Sequence, residues 1–331
     1  MNESRRMPNS TDVARRAGVS QSAVSRTYSP GASVSQSTRD AVLAAAAELG
    51  YRPNALPGIM QGKRSRMIAV VIGGMGNPFY ARVLDTLATR LSAAGQQMVL
   101  ARVDSNHSLD AVADDLARYR VDGVFSALAV TQPDTRDALA AFGIPVVSFN
   151  TPLHGPSVHS VSCDNAAAGA AAAQLLHARG ATRPAFIHGP ENSPAEIERF
   201  TGFADAIRAL GLPSPLEARG NYDYAGGRSA AAALMTASTP PDALFAANDL
   251  LALGALEALR HDLDRAVPSD VQVIGFDDID MAAWQAFQLT SFAQDISGMV
   301  DRAVELLLSE QTTTEGQCLR VPARLIERAT T

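Results

Sequence analysis

The sequence predicts a small all-α helix-turn-helix head followed by an α/β body of two doubly wound parallel-sheet subdomains. Three observations carry this. Between residues 10 and 53, capping residues and glycines divide the chain into three short helical runs. From Met67 onward, apolar strand-like runs alternate with helical runs that end in Gly, the pattern of a parallel sheet covered by helices. Around residues 160–164 that alternation begins again, which implies a second sheet of similar size.

In the head, Ser10 or Thr11 can cap a run over 12–17, with Val13, Ala14 and Ala17 on one side, and Gly18 breaks it. Ser20 is placed to cap a second helix from Gln21, so the order is helix, Gly-containing turn, helix. At about 100° per residue, Gln21, Ser22, Ser25 and Arg26 share one arc, with Ala23, Val24 and Thr27 opposite. The polar arc carries side chains whose donors and acceptors match base edges in a major groove. Ser35 caps a third helix over 37–48, which stops at Gly50.

Charge is divided unevenly. Residues 1–66 hold ten Arg or Lys against four Asp or Glu, so the remainder carries −12 of the total −6. A basic head on an acidic body implies that the head meets a polyanion. A chain of 331 residues that is 47% hydrophobic can bury a large core in two or three domains.

Cys163 and Cys318 lie far apart without metal-ligand spacing, which fits a reducing cytoplasm. The start MNESRRMPNS lacks a signal-peptide core, and no run approaches the ~18 apolar residues of a membrane span, so a cytoplasmic protein is expected.

The body is expected as strand 67–72, helix 78–94, strand 97–102, helix 109–120, strand 123–128, helix 135–142 and strand 145–149. The second half follows with helix 165–179, strand 184–188, helix 195–210, a strand near 217–219, helix 225–237, strand 243–246, helix 249–260 and strand 271–276. Ligands of such sheets sit beyond the C-terminal strand ends. That rule selects Phe79, Tyr80, Asn150, Asn192, Ser193, Tyr222, Asn248 and Asp277, with Arg199 in a helix just after such an end.

A carboxylate, amides and a guanidinium among aromatic rings suit a sugar or polyol: polar groups take hydroxyls, and ring faces cover C–H surface. The same residues admit plainer roles. Asn248 and Asp249 can cap the following helix, Asp277 and Asp278 can form a turn, Arg199 can be a solvated charge, and Tyr222 can be packing.

Enzyme chemistry finds no constellation. His107, His154, His159, His177, His188 and His261 are scattered without HExxH spacing, and only His188 is placed near the strand ends. No GxSxG or GxxxxGK[ST] occurs, and the turn Gly73-Gly74-Met75-Gly76 lacks GxGxxG order. No cofactor is expected.

The run DVARRAGVSQSAVSR, then ELGYRPNAL, GKRS before the first strand and NPFY after it, resembles the LacI/GalR (lactose repressor) family of bacterial transcription regulators. The likeness implies a periplasmic-binding-protein-like body. It implies base contacts by Gln21, Ser22 and Arg26, and Thr11, Ser20 and Ser25 are further DNA-binding candidates. It also implies a hinge helix over 54–62 in the minor groove, with Asn54 at its start, Met60 as the apolar wedge, and Lys63 beyond it.

Pro57 and Gly58 fall inside that hinge, and Gly costs about 1 kcal/mol relative to Ala in a helix. The loop TYSPGA, residues 28–33, departs from the family's Asn-containing turn.

For the effector pocket the resemblance implies Phe79, Asn150, Arg199, Tyr222, Asn248, Asp277 and Gln294, with Ser193 from the strand-end rule. Asn150 stands where Asp is frequent and Ile197 where Arg is common, which implies fewer charges in the pocket. The expected organisation is a DNA-binding domain over 1–53, a hinge and linker over 54–66, and an effector-binding and dimerisation domain over 67–331. Its subdomains cover about 67–164 with 293–322, and about 165–292 with 323–331. The last strand and helix, 290–308, are expected to cross back to the first half.

Expected partners are a near-palindromic double-stranded DNA operator, a sugar-like effector and a second copy of the chain, with no membrane. A two-lobed binding protein without a DNA role would instead carry a signal peptide and no basic head.

Overall fold

The computed structural model describes residues 7–29, 31–54, 59, 64–73, 75–102, 112–128, 143–151, 158–191, 193–309 and 316–331. The chain divides into two compact units, Met1–Ser65 and Arg66–Thr331.

In the first unit, helix α1 spans Ser10–Ala17, α2 Gln21–Thr27 and α3 Gln36–Leu49. The cap of α1 differs from the expected Ser10 or Thr11. Asn9 accepts from the Thr11 and Asp12 amides at 2.9 and 3.1 Å, and Asp12 accepts from the Asn9 amide at 3.0 Å. This reciprocal box satisfies donors that a hydroxyl one residue later would leave open, so Ser10 and Thr11 become helical. Ser20 and Ser35 cap α2 and α3 as expected, each accepting an amide hydrogen bond at 3.2 Å. Val13, Ala14, Val24, Val42, Ala45 and Ala46 form the buried core of the unit.

The second unit holds two six-stranded sheets. Strands β1 (Met67–Ile72), β2 (Gln97–Arg102), β3 (Gly123–Ser126), β4 (Val146–Phe149) and β5 (Val158–Cys163) belong to the first. Strands β6 (Pro184–His188), β7 (Leu216–Arg219), β8 (Ala243–Ala246), β9 (Gln272–Asp277) and β10 (Thr290–Ala293) belong to the second. The final strands divide: β11 (Cys318–Val321) joins β5, and β12 (Arg324–Ile326) joins β10. The orders are β11-β5-β4-β3-β1-β2 and β12-β10-β9-β8-β6-β7. Among the described residues, every pairing is parallel except that of β10 with β12.

Helices in chain order are α4 (Pro78–Ala93), α5 (Ala113–Arg118), α6 (Asn165–Ala178), α7 (Pro194–Ala209), α8 (Tyr224–Leu234), α9 (Asp249–Glu257) and α10 (Ile296–Leu308). A π-helical turn, Ala258–Asp262, continues α9. The expected helix over 135–142 lies outside the described residues, as does the start of the one expected over 109–120.

Two assignments change. Residues 158–163, not among the expected strands, form a full strand of the first sheet. Thr290–Ala293 stays in the second sheet, paired with Ile274–Asp277, so that only α10 crosses back to pack on α4 and the first sheet. The Thr290 hydroxyl and amide are tied to Thr330, Thr331 and Arg328, which hold the strand where it is.

Helices α6 and α7 meet through two glycines. A side chain on Gly169 would collide with the Arg199 carbonyl, and one on Gly202 with the Ala166 carbonyl. Only bare backbone permits so close a crossing, and it fixes the stretch of α7 that carries Arg199.

Candidate functional site

On the head, Gln21, Ser22, Ser25 and Arg26 are exposed, whereas Val24 and Thr27 are buried beneath them. The Gln21 amide donates to Ser10 Oγ at 2.9 Å, and Ser20 and Ser22 hydroxyls are 2.9 Å apart. Thr11 and Asn54 are exposed, and Met60 and Lys63 lie outside the described residues. Arg39, not singled out in the sequence, donates to the Thr27 carbonyl at 3.0 Å and ties α3 to the end of α2.

In the body, the strand ends of the two sheets are joined by a chain of amides and a carboxylate. Asn77, the cap of α4, donates through Nδ2 to Asp277 Oδ2 at 3.0 Å. Gln294 donates to Asp277 Oδ1 at 2.8 Å and accepts from Asn150 Nδ2 at 3.1 Å. Asn150 Oδ1 accepts the Cys163 amide at 3.2 Å. Asn77 and Asn150 belong to the first lobe and Asp277 to the second, so the polar chain spans the cleft. Two further bridges flank it: Arg82 Nη1 to the Asp278 carbonyl at 2.9 Å, and Arg320 on β11 to both oxygens of Glu198 on α7 at 2.6 Å each.

Arg199 is buried, not a solvated charge. It donates to Asn165 Oδ1 at 2.8 Å and to the Ala247 carbonyl, and its guanidinium lies 3.3 Å over the Phe276 ring. Its Nε is buried without a hydrogen-bond partner. Asn248 does cap α9, accepting the Leu251 amide at 3.0 Å, while its Nδ2 faces the Tyr222 carbonyl at 3.5 Å. Phe79 is buried on α4 and packs edge-on to Tyr80, with centroids 5.3 Å apart. Ser193 stands at the start of α7, half-buried, and makes no side-chain cap there.

Electrostatics place these groups in one environment. Burial raises the Tyr80 phenol to about 12, with the Asp277 charge adding and Arg199 opposing. Tyr222 is likewise raised by burial, then by Glu196, with Arg199 opposing. Burial pushes the Asp277 carboxyl above its ordinary range against the pull of Arg199, Asn77 and Gln294. Asn150, Tyr222 and Asp277 also carry positive φ, at 55°, 57° and 113°. Left-handed backbone costs a non-glycine residue about 1 to 3 kcal/mol and clusters where function over-determines the chain.

Asn77, Asn165 and Glu196 were missed in the sequence. Asn77 had a signal, an Asn just before a helix-starting Pro, while the other two are visible only through tertiary contacts. Among the described residues, no group of three or more His, Cys, Asp or Glu is arranged to hold a metal, and no helix is long and apolar enough to cross a membrane.

A helix-turn-helix head and a two-lobed α/β body with a polar cleft define a DNA-binding regulator that carries a small-molecule effector domain. Residues 11–54 match the family of bacterial regulatory proteins, lacI family, and residues 173–331 match the periplasmic binding protein-like domain. The HTH-type transcriptional regulator CelR of Thermobifida fusca is 34% identical, the alignment covering 98% of this chain and 96% of CelR.

A CelR–cellobiose complex superposes with a TM-score of 0.71 at 33% identity, covering 98% and 100% of the two chains. The lac repressor dimer bound to operator and the anti-inducer ONPF superposes with a TM-score of 0.86 at 25% identity, covering 98% and 99%. The chain belongs to the lacI family of transcriptional regulators.

Proposed function

We propose that the chain is a homodimeric repressor whose affinity for a near-palindromic operator is set by an uncharged sugar-like effector held between the lobes. The carrying observation is the set of groups at the facing strand ends: the buried Arg199 and Asp277 among the amides of Asn77, Asn150, Asn248 and Gln294, with the buried Glu196 against Tyr222. Amides and carboxylates suit the hydroxyls of such a ligand. Phe79 and Tyr222 supply ring faces, and Ser193 a hydroxyl. The cellobiose in the related CelR complex supports this class.

The division of labour follows the expected boundaries: residues 1–53 bind DNA, 54–66 link, and 67–331 bind effector and dimerise. Two copies present Gln21, Ser22, Ser25 and Arg26 to successive major grooves, with Thr11 and Ser20 at the helix starts and Asn54, Met60 and Lys63 serving the minor groove and backbone. An effector that binds one lobe arrangement better than another shifts DNA affinity by that difference. The work is that of a cytoplasmic regulator, not an enzyme.

The test has two arms. Thermal shift against neutral sugars including cellobiose, sugar acids and nucleobases should select neutral sugars; stabilisation by sugar acids alone defeats the pocket reading. Fluorescence polarisation on a duplex selected from a random pool should lose binding when residues 1–66 are deleted; unchanged binding defeats the head assignment.

A further inference from the structure

We infer that His188 is a positioning residue for Tyr222, acting through Glu196, an inference that rests on Tyr222 belonging to the effector pocket. His188 closes β6 and is buried, its ring 4.7 Å from those of Phe186 and Phe200. Both ring nitrogens face carboxylates: Nδ1 lies 2.5 Å from Glu196 Oε1, and Nε2 lies 3.0 Å from Glu217 Oε2. Glu196 is itself only 3% exposed, and its second oxygen accepts the Gly189 amide at 3.2 Å and the Tyr222 phenol at 3.4 Å.

A carboxylate that deep in the fold is stable only where its oxygens are met by donors. His188 meets one oxygen, which leaves the other aimed at the phenol.

The ring of Tyr222 has one place to lie. It rests against the bare Cα of Gly189, where any side chain would overlap the ring carbons, and Arg219 pins the same turn by donating to the Gly189 carbonyl at 2.6 Å. Tyr222 reaches this position from a left-handed backbone, φ 57°, an expensive conformation for an aromatic residue. The sequence His188-Gly189 thus serves the ring twice: glycine opens the floor, and histidine holds the carboxylate that fixes the hydroxyl.

A purely space-filling His188 would be replaceable by any side chain that fits between Phe186 and Phe200. A relay depends instead on which ring nitrogen is kept. Asn presents its amide near the position of Nδ1 and can still serve Glu196, whereas Gln reaches toward Glu217.

The full chain labelled with 3-fluorotyrosine tests this by 19F NMR, with Tyr222→Phe assigning the Tyr222 line and thermal melts confirming that each variant folds. His188→Asn and Glu217→Gln should leave the line at its wild-type position. His188→Gln and His188→Leu should move it as Glu196→Ala does. A His188→Leu line at the wild-type position, or equal displacement by Asn, Gln and Leu, overturns the relay. No effector is present, so that result leaves the pocket reading standing. Conversely, if Tyr222→Phe does not alter cellobiose binding in a fluorescence titration, the pocket reading falls without touching the NMR result.

Discussion

Asn77, which caps the helix after the first strand of one lobe, donates a 3.0 Å hydrogen bond to Asp277 at the end of an interior strand of the other. Hydrogen bonds to charged groups contribute about 1.5 to 3 kcal/mol. Asn77→Ala is therefore expected to lower stability by roughly that amount and to widen the lobes. Urea denaturation measures the first effect and small-angle scattering the second. An unchanged midpoint and scattering profile would show that the contact does not hold the lobes together.

Arg199→Ala removes the buried cation that bridges Asn165, the Ala247 carbonyl and the Phe276 ring. Loss of effector response with DNA binding retained is expected, read as duplex polarisation with and without cellobiose. A variant that still responds takes Arg199 out of the pocket.

Arg26→Ala should erode discrimination between the selected duplex and scrambled DNA by about 1–3 kcal/mol. Lys63→Ala should instead weaken both duplexes alike and flatten the dependence on salt. Titrations at several salt concentrations separate the two, and identical behaviour of the variants would contradict the division of roles.

Burial, reinforced by the Asp277 charge, pushes the Asp249 carboxyl well above its ordinary range, against hydrogen bonds from Ser291 at 2.6 Å and the Ile279 amide at 2.8 Å. A carboxyl raised in the folded state gives stability that is complete below its unfolded pKa of about 4 and lost as pH rises through the folded value. Stability should accordingly decline with rising pH above the usual carboxylate range, and Asp249→Asn should flatten that slope. Urea midpoints at stepped pH provide the check; parallel slopes would mean that Asp249 adds nothing to the pH dependence.

Gly202→Ala drives a methyl group into the Ala166 carbonyl at the α6–α7 crossing. Overpacking of this kind costs about 1–3 kcal/mol. It should also pull Arg199 away from Asn165, so that thermal stability and sugar binding fall together. A stable variant with unchanged binding would show that the crossing has slack.

The strands Met67–Ile72, Gln97–Arg102, Pro184–His188 and Ala243–Ala246 were legible to the residue because each is a short, mostly apolar run between helical segments. Strand β5, VHSVSC, was hidden because half of its buried residues are polar. The sheet that takes Thr290–Ala293 is decided by partners some forty residues away, Thr330 and Thr331, which no local pattern records. In the cleft, residue types at strand ends were legible and their commitments were not. Asn248 is both a cap and a cleft residue, and Arg199, chosen for the pocket with a solvated charge as the plainer alternative, is buried and stacked on Phe276.

One edge strand of each sheet, Cys318–Val321 in one and Arg324–Ile326 in the other, comes from the same short tail of the chain. During synthesis neither lobe can close its edge until that tail has left the ribosome, whereas the head is complete some 250 residues earlier. A nascent chain thus presents a finished helix-turn-helix unit well before either lobe is closed, and a message cut short upstream of residue 318 would yield that unit joined to two sheets that each lack an edge strand.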